Sequence, residues 1–172
     1  VPLVSVTLYL KTGVLDEPAG KAGLSELTGD VMQVGGAGDW SAEALEEMVE
    51  SMGASLGSKV ERDMATLSFH CRARDLDRGL DVLAAVLARP RFDAARFALC
   101  RDQTLEGLRR RRDDPEALAT EAFQKLLYGA DSPWARQPTA ESVKGITRDD
   151  VVAFHRDHVL PTLWSIAVSG DV

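Results

Sequence analysis

Residues 4–34, VSVTLYLKTGVLDEPAGKAGLSELTGDVMQV, contain the strand, turn and helix signals that decide the fold. At the start of this stretch apolar and polar residues alternate, a period of two that predicts a half-buried β-strand. Residues 13–20 are rich in glycine and acidic residues and include a proline, which predicts a turn. From Leu24 to Val34 apolar residues recur at helical spacing, and the glycine cluster 35–38 is expected to end that helix.

Downstream, the sequence predicts further strands separated by helices. Residues 54–61 and 64–72 resemble a strand pair, and residues 163–168 predict a closing strand. The order is strand, helices, strand pair, helices and strand. This order favours an α+β fold: a two-layer sandwich in which an antiparallel-rich sheet carries helices mainly on one face. A chain of 172 residues suits one such domain.

Two helical patterns meet at the acidic pair 113–114. The first begins at Asp93 and ends in four consecutive arginines, Arg109–Arg112. We interpret this run as a solvated helix end with cations near the negative end of the helix dipole; an interface role for some of the arginines is the alternative. The second helix is predicted to start with Pro115 in its first turn. Its apolar residues recur at helical spacing and are expected to face the core: Ala119, Ala122, Phe123, Leu126 and Leu127.

The composition excludes several classes of function. Acidic residues number 27 against 20 basic ones, and the net charge of −7 argues against nucleic acid as a main partner. No apolar run approaches the roughly 20 residues that span a bilayer. Cys71 and Cys100 lack metal-site spacing and are expected to pack as small apolar side chains, not as a disulfide. The chain starts at Val1 without a methionine, and we expect residues 1–172 to be one domain of a longer, two-domain subunit.

Other sites that the residue types suggest are weak. His155 and His158 lie near a predicted helix end with only Asp157 beside them, so surface or capping roles are expected. His70 alternates with Phe69 on a predicted strand and is expected on its polar face. Phosphate-loop and nucleophile-elbow patterns are absent.

Five stretches carry a resemblance that covers nearly the whole chain. They are the strand and turn at 4–24, the helix and "GA" step at 45–56, Phe92 with the long helix that leads to Pro115, the loop at 128–136, and the closing helix, proline and "GD" step at 146–172. In this order they resemble the pitrilysin/insulinase family of metallopeptidases, which includes the mitochondrial processing peptidase. The resemblance implies the α+β metallohydrolase fold of that family.

Active members of the family carry an HxxEH motif on the first helix. Its two histidines bind zinc, its glutamate is the general base, and a distal glutamate completes the metal site. Counting from Gly23 places the motif here at Glu26, Gly29 and Asp30. With 76 residues between it and Asp30, the distal ligand position is Gly107. All four motif positions are changed, so the resemblance implies no catalytic residues, no cofactor and no metal in this domain.

The resemblance implies a non-catalytic domain that helps to form a peptide-binding chamber. The expected partners are a zinc-bearing active domain or subunit of the same family, in a homo- or heterodimer, and an extended peptide that pairs with an exposed sheet edge. Zinc is expected only in that active partner. The alternative is a scaffold or core subunit of a larger complex without a peptidase role, and a third hypothesis is a hydrolase with an unconventional site.

Glu26 and Asp30 are one helical turn apart and are expected to be solvated carboxylates, with a Mg²⁺ or Ca²⁺ site as the alternative. The cysteines fix no redox compartment. For the location we favour the bacterial periplasm or cell envelope over the cytoplasm.

Overall fold

One antiparallel sheet of four strands organises the part of the chain that this computed structural model describes, residues 2–130 and 132–171. The strands are β1 (Leu3–Leu10), β2 (Ser55–Val60), β3 (Ala65–Arg72) and β4 (Trp164–Gly170). Their order across the sheet is β2–β3–β1–β4, so β2 and β4 are the edges. The sequence-predicted strands correspond to these four, with ends shifted by one or two residues.

Seven α-helices accompany the sheet in the described residues. They are α1 (Leu24–Val34), α2 (Ala42–Ser51), α3 (Leu76–Ala88), α4 (Ala94–Arg111), α5 (Pro115–Tyr128), α6 (Ala140–Lys144) and α7 (Arg148–Phe154). A single π-helical turn, His155–Val159, follows α7. No helix in the described ranges is both long and apolar enough to cross a membrane.

The core lies between the sheet and the helices on one of its faces. The alternating apolar residues of β1 point into it, and each is at most 4% exposed. Leu27 and Val31 of α1 and Phe69 of β3 are buried in the same cluster. Burying one such side chain contributes about 1.5–3 kcal/mol, so this layer is a main source of stability. The predicted α+β two-layer fold is confirmed.

The helix starts follow the capping chemistry of the sequence. Ser41 accepts a hydrogen bond from the Ala44 amide at 3.2 Å, and the Asp93 carboxylate accepts from the Ala95 and Arg96 amides at 2.9 and 3.0 Å. Such side chains satisfy amide groups that have no partner inside the helix. Cys71 and Cys100 are free and buried, as expected.

Helix α5 corrects one expectation. Its apolar stripe faces outward, with Phe123 62%, Leu126 86% and Leu127 58% exposed. The half-buried side is formed by Ala117, Glu121 and Gln124 instead. The stripe was identified correctly, but α5 lies at the margin of the domain, where no described element covers its outer side. No residue of α5 is buried.

His155 has the expected capping role, but its side chain is buried and not on the surface. Its Nε2 lies 2.8 Å from the carbonyl oxygen of Leu87, in the last turn of α3. Carbonyls in a last turn have no partner within their own helix, and the imidazole N–H supplies one. The Phe92 ring lies edge-on at 5.4 Å, and burial lowers the pKa of His155.

Candidate functional site on helix α1

Helix α1 begins at a glycine, and a distant carboxylate caps it. Gly23 has a φ of 96° and no side chain to offer. The buried Glu17 accepts hydrogen bonds from the Gly23 and Ser25 amides and, at 2.6 Å, from the Ser25 hydroxyl. Burial raises the pKa of Glu17, and these hydrogen bonds act in the opposite direction. The carboxylate therefore serves as a remote N-cap that fixes where α1 starts.

Two cations tie the turn before α1 to the second half of the chain. The Lys21 ammonium lies 2.7 Å from the Asp150 carboxylate of α7 and donates to the Gly145 carbonyl at 2.6 Å. The Arg136 guanidinium donates to the backbone carbonyl of Glu17 at 2.8 Å. These links span more than 100 residues of sequence and fix the turn from which α1 begins.

The three predicted motif positions on α1 have different surroundings. Glu26 and Asp30 reach solvent, although neighbouring atoms partly enclose their carboxylates. Gly29 is buried and faces the edge strand β2: a Cβ atom placed there lies 2.8 Å from the Ser58 hydroxyl oxygen. That hydroxyl accepts a hydrogen bond from Gln33 at 2.7 Å. A side chain at position 29 therefore requires the Ser58 hydroxyl to move.

The fourth position, Gly107, lies on the face of α4 that neighbours α1. Helical spacing puts it on one face with Cys100 and Arg111. The charge of Asp30 acts on Cys100, and Arg111 acts on Glu26, so this face of α4 looks towards the motif positions. A Cβ atom at Gly107 meets nothing within 4 Å. The placement suits the predicted correspondence with the distal ligand, which stays a prediction.

The electrostatics of this region are those of crowded carboxylates. Partial burial raises the pKa of Glu26, the charges of Glu17 and Asp30 raise it further, and Arg111 lowers it. Partial burial also raises the pKa of Asp30. Since both side chains reach solvent, water screens much of this repulsion.

The residues do not fit the zinc ion that the family resemblance suggests. Zinc sites in proteins are tetrahedral and use imidazole, thiolate and carboxylate ligands held closely together. The three histidines, His70, His155 and His158, lie on β3 and in the π-helical turn, not on α1. Within residues 2–130 and 132–171 no group of three or more His, Cys, Asp or Glu side chains is arranged to hold a metal.

A recess of about 170 Å³ lies beside these positions, lined in part by Glu17, Glu26, Arg62 and Arg136. Arg62, at the tip of the β2–β3 hairpin, lies over the rings of Tyr128 and Trp134, each 5.7 Å from its guanidinium carbon. It also donates to the Trp134 carbonyl. Such cation–π contacts stabilise the hairpin against the loop after α5.

Glu17, Arg62 and Arg136 organise this region but were not predicted from the sequence. Arg62 and Arg136 reach partners about 70 and 120 positions away, and no local spacing indicates such contacts. For Glu17 a signal was available: an acidic residue shortly before a helix that lacks a capping side chain is a candidate remote cap.

Comparison with known proteins now assigns the family. The chain matches the insulinase family, peptidase family M16, over residues 1–132. The chain belongs to this family, and the resemblance drawn from the sequence alone is confirmed.

Three similar proteins illustrate the range of the family. An uncharacterized zinc protease of Mycobacterium leprae is 28% identical over 170 residues, which are 98% of this chain and 38% of that protein. Subunit 1 of the mitochondrial cytochrome b-c1 complex of Caenorhabditis elegans is 24% identical over 98% of this chain and 36% of its own length. The crystal structure of a peptidase M16 inactive domain from Pseudomonas fluorescens superposes with a TM-score of 0.87 and 25% identity, covering 100% of this chain and 42% of that one. The chain thus spans about two-fifths of the length of these relatives.

Proposed function

We propose that this chain is a non-catalytic domain of an M16 peptidase assembly. In this proposal it forms part of the wall of a peptide-binding chamber beside a zinc-bearing domain or subunit of the same family. The proposal rests on one juxtaposition: α1, which carries Glu26, Gly29 and Asp30, lies directly against the edge strand β2.

The contact between α1 and β2 supports peptide binding without catalysis. An edge strand presents unpaired backbone groups with which an extended peptide can form a further strand. The recess beside it offers Arg62 and Arg136 as well as carboxylates, so both signs of charge are available to a bound peptide. Hydrolysis by a zinc mechanism requires in addition a polarising metal and a general base, and none of Glu26, Gly29 and Asp30 supplies an imidazole ligand.

Hydrogen exchange tests where a peptide binds. A synthetic peptide that alternates apolar and polar residues is added to the full chain, and amide exchange is followed along the sequence. We expect slower exchange in β2, Ser55–Val60, and no change in the other edge strand, β4. Slower exchange in β4 alone, or in neither strand, would contradict the proposed binding site.

Calorimetry and a cleavage assay test the absence of catalysis. We expect no micromolar affinity for Zn²⁺ and no cleavage of an unfolded peptide that a chelator abolishes. Chelator-sensitive cleavage by this chain alone would overturn the non-catalytic assignment.

The scaffold alternative has one specific observation in its favour, the similarity to a cytochrome b-c1 complex subunit. Purification of the natural protein separates the two functions. Recovery with a zinc-bearing M16 protein supports the chamber role, and recovery with a respiratory complex supports the scaffold role.

A further inference from the structure

A groove of about 340 Å³ runs between α4 and α5 and adjoins the recess beside α1 at Pro138. It is lined by Leu105 and Leu108 of α4, by Arg112 directly after α4, by Leu118 of α5 and by Lys144 of α6. Leu105, Leu108 and Arg112 are three and four positions apart, so they share one face. Gly107 projects from a different side of the same helix, and Arg111 is the residue that both lines the groove and lies near Glu26.

The floor of the groove is apolar and open. Leu105 and Leu108 are half-buried, and Leu118 is 46% exposed. Covering apolar surface in a concavity gives a more favourable free energy of binding than covering the same surface on a convex face. The reason is that a single inserted side chain contacts several walls. The floor therefore suits one or two apolar side chains of a ligand.

The rim of the groove is cationic. Arg109, Arg111, Arg112 and Lys144 line it, and Glu121 is the one acidic residue among the lining residues. Glu121 is itself paired with Lys125 at 2.6 Å, so it does not offset the rim.

Few direct ion pairs hold these cations in the described chain, although Asp113 and Asp114 follow Arg112 in the sequence. Arg109 pairs with Glu106 at 3.1 Å, but both side chains are exposed and such a pair is weak. Arg111 donates to the neutral Gln137 amide at 3.0 Å and lies near Glu26. Within residues 2–130 and 132–171, Arg112 and Lys144 form no ion pair. A chain with a net charge of −7 thus concentrates positive charge around one apolar groove.

We propose that the α4–α5 groove binds an acidic, amphipathic peptide segment of a partner protein. Carboxylates of the segment pair with Arg109, Arg112 and Lys144, and its apolar side chains cover the leucine floor. Charge complementarity selects this occupant, because a simple anion leaves the floor exposed and a basic or neutral peptide leaves the rim unpaired. The proposal gives a binding role to part of the arginine run 109–112.

Fluorescence anisotropy with designed peptides tests the occupant. The probe is a labelled synthetic peptide in which glutamates and leucines are spaced as on an amphipathic helix. The comparison peptides replace every glutamate by lysine or every leucine by serine. We expect binding of the first peptide only, weakening as salt is added. If the peptide with serine in place of leucine binds equally well, the groove is an anion site to which the leucine floor contributes nothing. If the peptide with lysine in place of glutamate binds, the proposed charge complementarity is wrong.

Matched variants of the full chain test the location. Arg112→Glu with Lys144→Glu is expected to weaken binding about tenfold or more, since it reverses two rim charges. The control is Arg110→Glu, which changes the same type of charge on the same helix but does not line the groove. If Arg110→Glu weakens binding as much as the rim variant, binding is non-specific and the proposed site is wrong.

A second matched pair tests the floor. Leu118→Ser is expected to weaken binding about tenfold. Leu99→Ser is the control, because Leu99 is equally exposed, at 47% against 46%, but lies outside the groove. Equal binding by both variants would exclude the leucine floor. Circular dichroism of each variant verifies that it is folded, and none of these substitutions alters β2, so failure here is distinct from failure of the chamber proposal.

Discussion

Helices α1 and α5 are similar as sequences and opposite as parts of the structure. Both carry an apolar stripe, and each has an acidic side chain, Glu17 or Asp114, bound to its first amides. Yet seven of the 11 residues of α1 are buried, and none of the 14 residues of α5 is. A stripe thus shows that a helix has an apolar side, and the neighbouring elements decide whether that side becomes core.

The neighbours of the two helices explain the difference. Helix α1 packs against β2, α4 and α7, whereas α5 packs chiefly on the short turn Pro133–Ala135. The most enclosed helix is therefore the one that carries the motif positions, and the outermost helix forms one wall of the α4–α5 groove.

The largest expected effect on stability comes from a leucine-to-alanine substitution on α1, which is compared with the same substitution on α5. Leu27→Ala on α1 removes a side chain that is 1% exposed, and we expect the free energy of unfolding to fall by about 2–5 kcal/mol. Leu126→Ala on α5 removes one that is 86% exposed, and we expect a change within about 0.5 kcal/mol. Urea denaturation of the two variants measures both. A loss of similar size at both positions would mean that α5 is covered in solution.

Glycine substitutions give the next largest effect on stability and compare a packed position on α1 with an open one on α4. Gly107→Ala is expected to raise the free energy of unfolding by about 0.5–1 kcal/mol, because alanine favours the helix and its Cβ meets no atom. Gly29→Ala is expected to gain less or to lose stability, because its Cβ displaces the Ser58 hydroxyl from Gln33.

A double-mutant cycle isolates that contact. In the Ser58→Gly background the hydroxyl is gone, and Gly29→Ala should raise the free energy of unfolding by more than it does with Ser58 present. Equal effects of Gly29→Ala in the two backgrounds would show that Ser58 does not restrict position 29.

A smaller effect follows from the carboxylates on α1. The pKa values of Glu26 and Asp30 are raised above their ordinary values of 4.5 and 3.8. The folded state therefore binds these protons more tightly than the unfolded chain does, and stability declines as pH rises through the raised pKa values. Asp30→Asn should raise the unfolding midpoint at neutral pH and give no such gain near pH 4, the ordinary range of the group.

Thermal melts across this pH range measure the carboxylate effect. Asp102→Asn, at an exposed position on α4 away from α1, is the control and should leave the pH dependence as it is. A gain from Asp30→Asn that is the same at both pH values would contradict the raised pKa values of these two carboxylates.

The smallest expected effect is at His155. Here stability is lost as pH falls, whereas at Glu26 and Asp30 it is lost as pH rises. Burial lowers the pKa of this imidazole below its ordinary value of 6.5. Its folded form resists protonation, so the stability it contributes is present above pH 6.5 and is lost as pH falls towards the lowered pKa. His155→Gln should flatten this part of the profile, and a His158→Gln control should not. An unchanged profile in His155→Gln would assign the acid sensitivity to other groups.

Much of the fold was predictable because it depends on short-range patterns. The alternation in β1 and the caps at Ser41 and Asp93 are local signals, and the structure contains the elements they indicate. The outward stripe of α5 and the burial of His155 were not predictable. Each depends on which distant segment lies alongside, Leu87 in the case of His155, and a local pattern carries no information on that.

The candidate site divides in the same way. Motif spacing placed Glu26, Gly29 and Asp30 on one helix, and the structure has them there. Arg62 and Arg136 were missed because their contacts join segments far apart in the sequence. Sequence spacing predicts where a residue lies along a helix or strand. It does not predict how one helix or strand packs against another.

The contact between Gly29 and Ser58 bears on how such a domain changes over evolutionary time. If position 29 once held a general base, the Ser58 hydroxyl now lies where the Cβ atom of that side chain would be. Restoring a glutamate therefore requires this hydroxyl to turn away from Gln33. Zinc binding requires ligands at the other three positions as well, so a return to catalysis takes several substitutions, and each of them alone gives no activity.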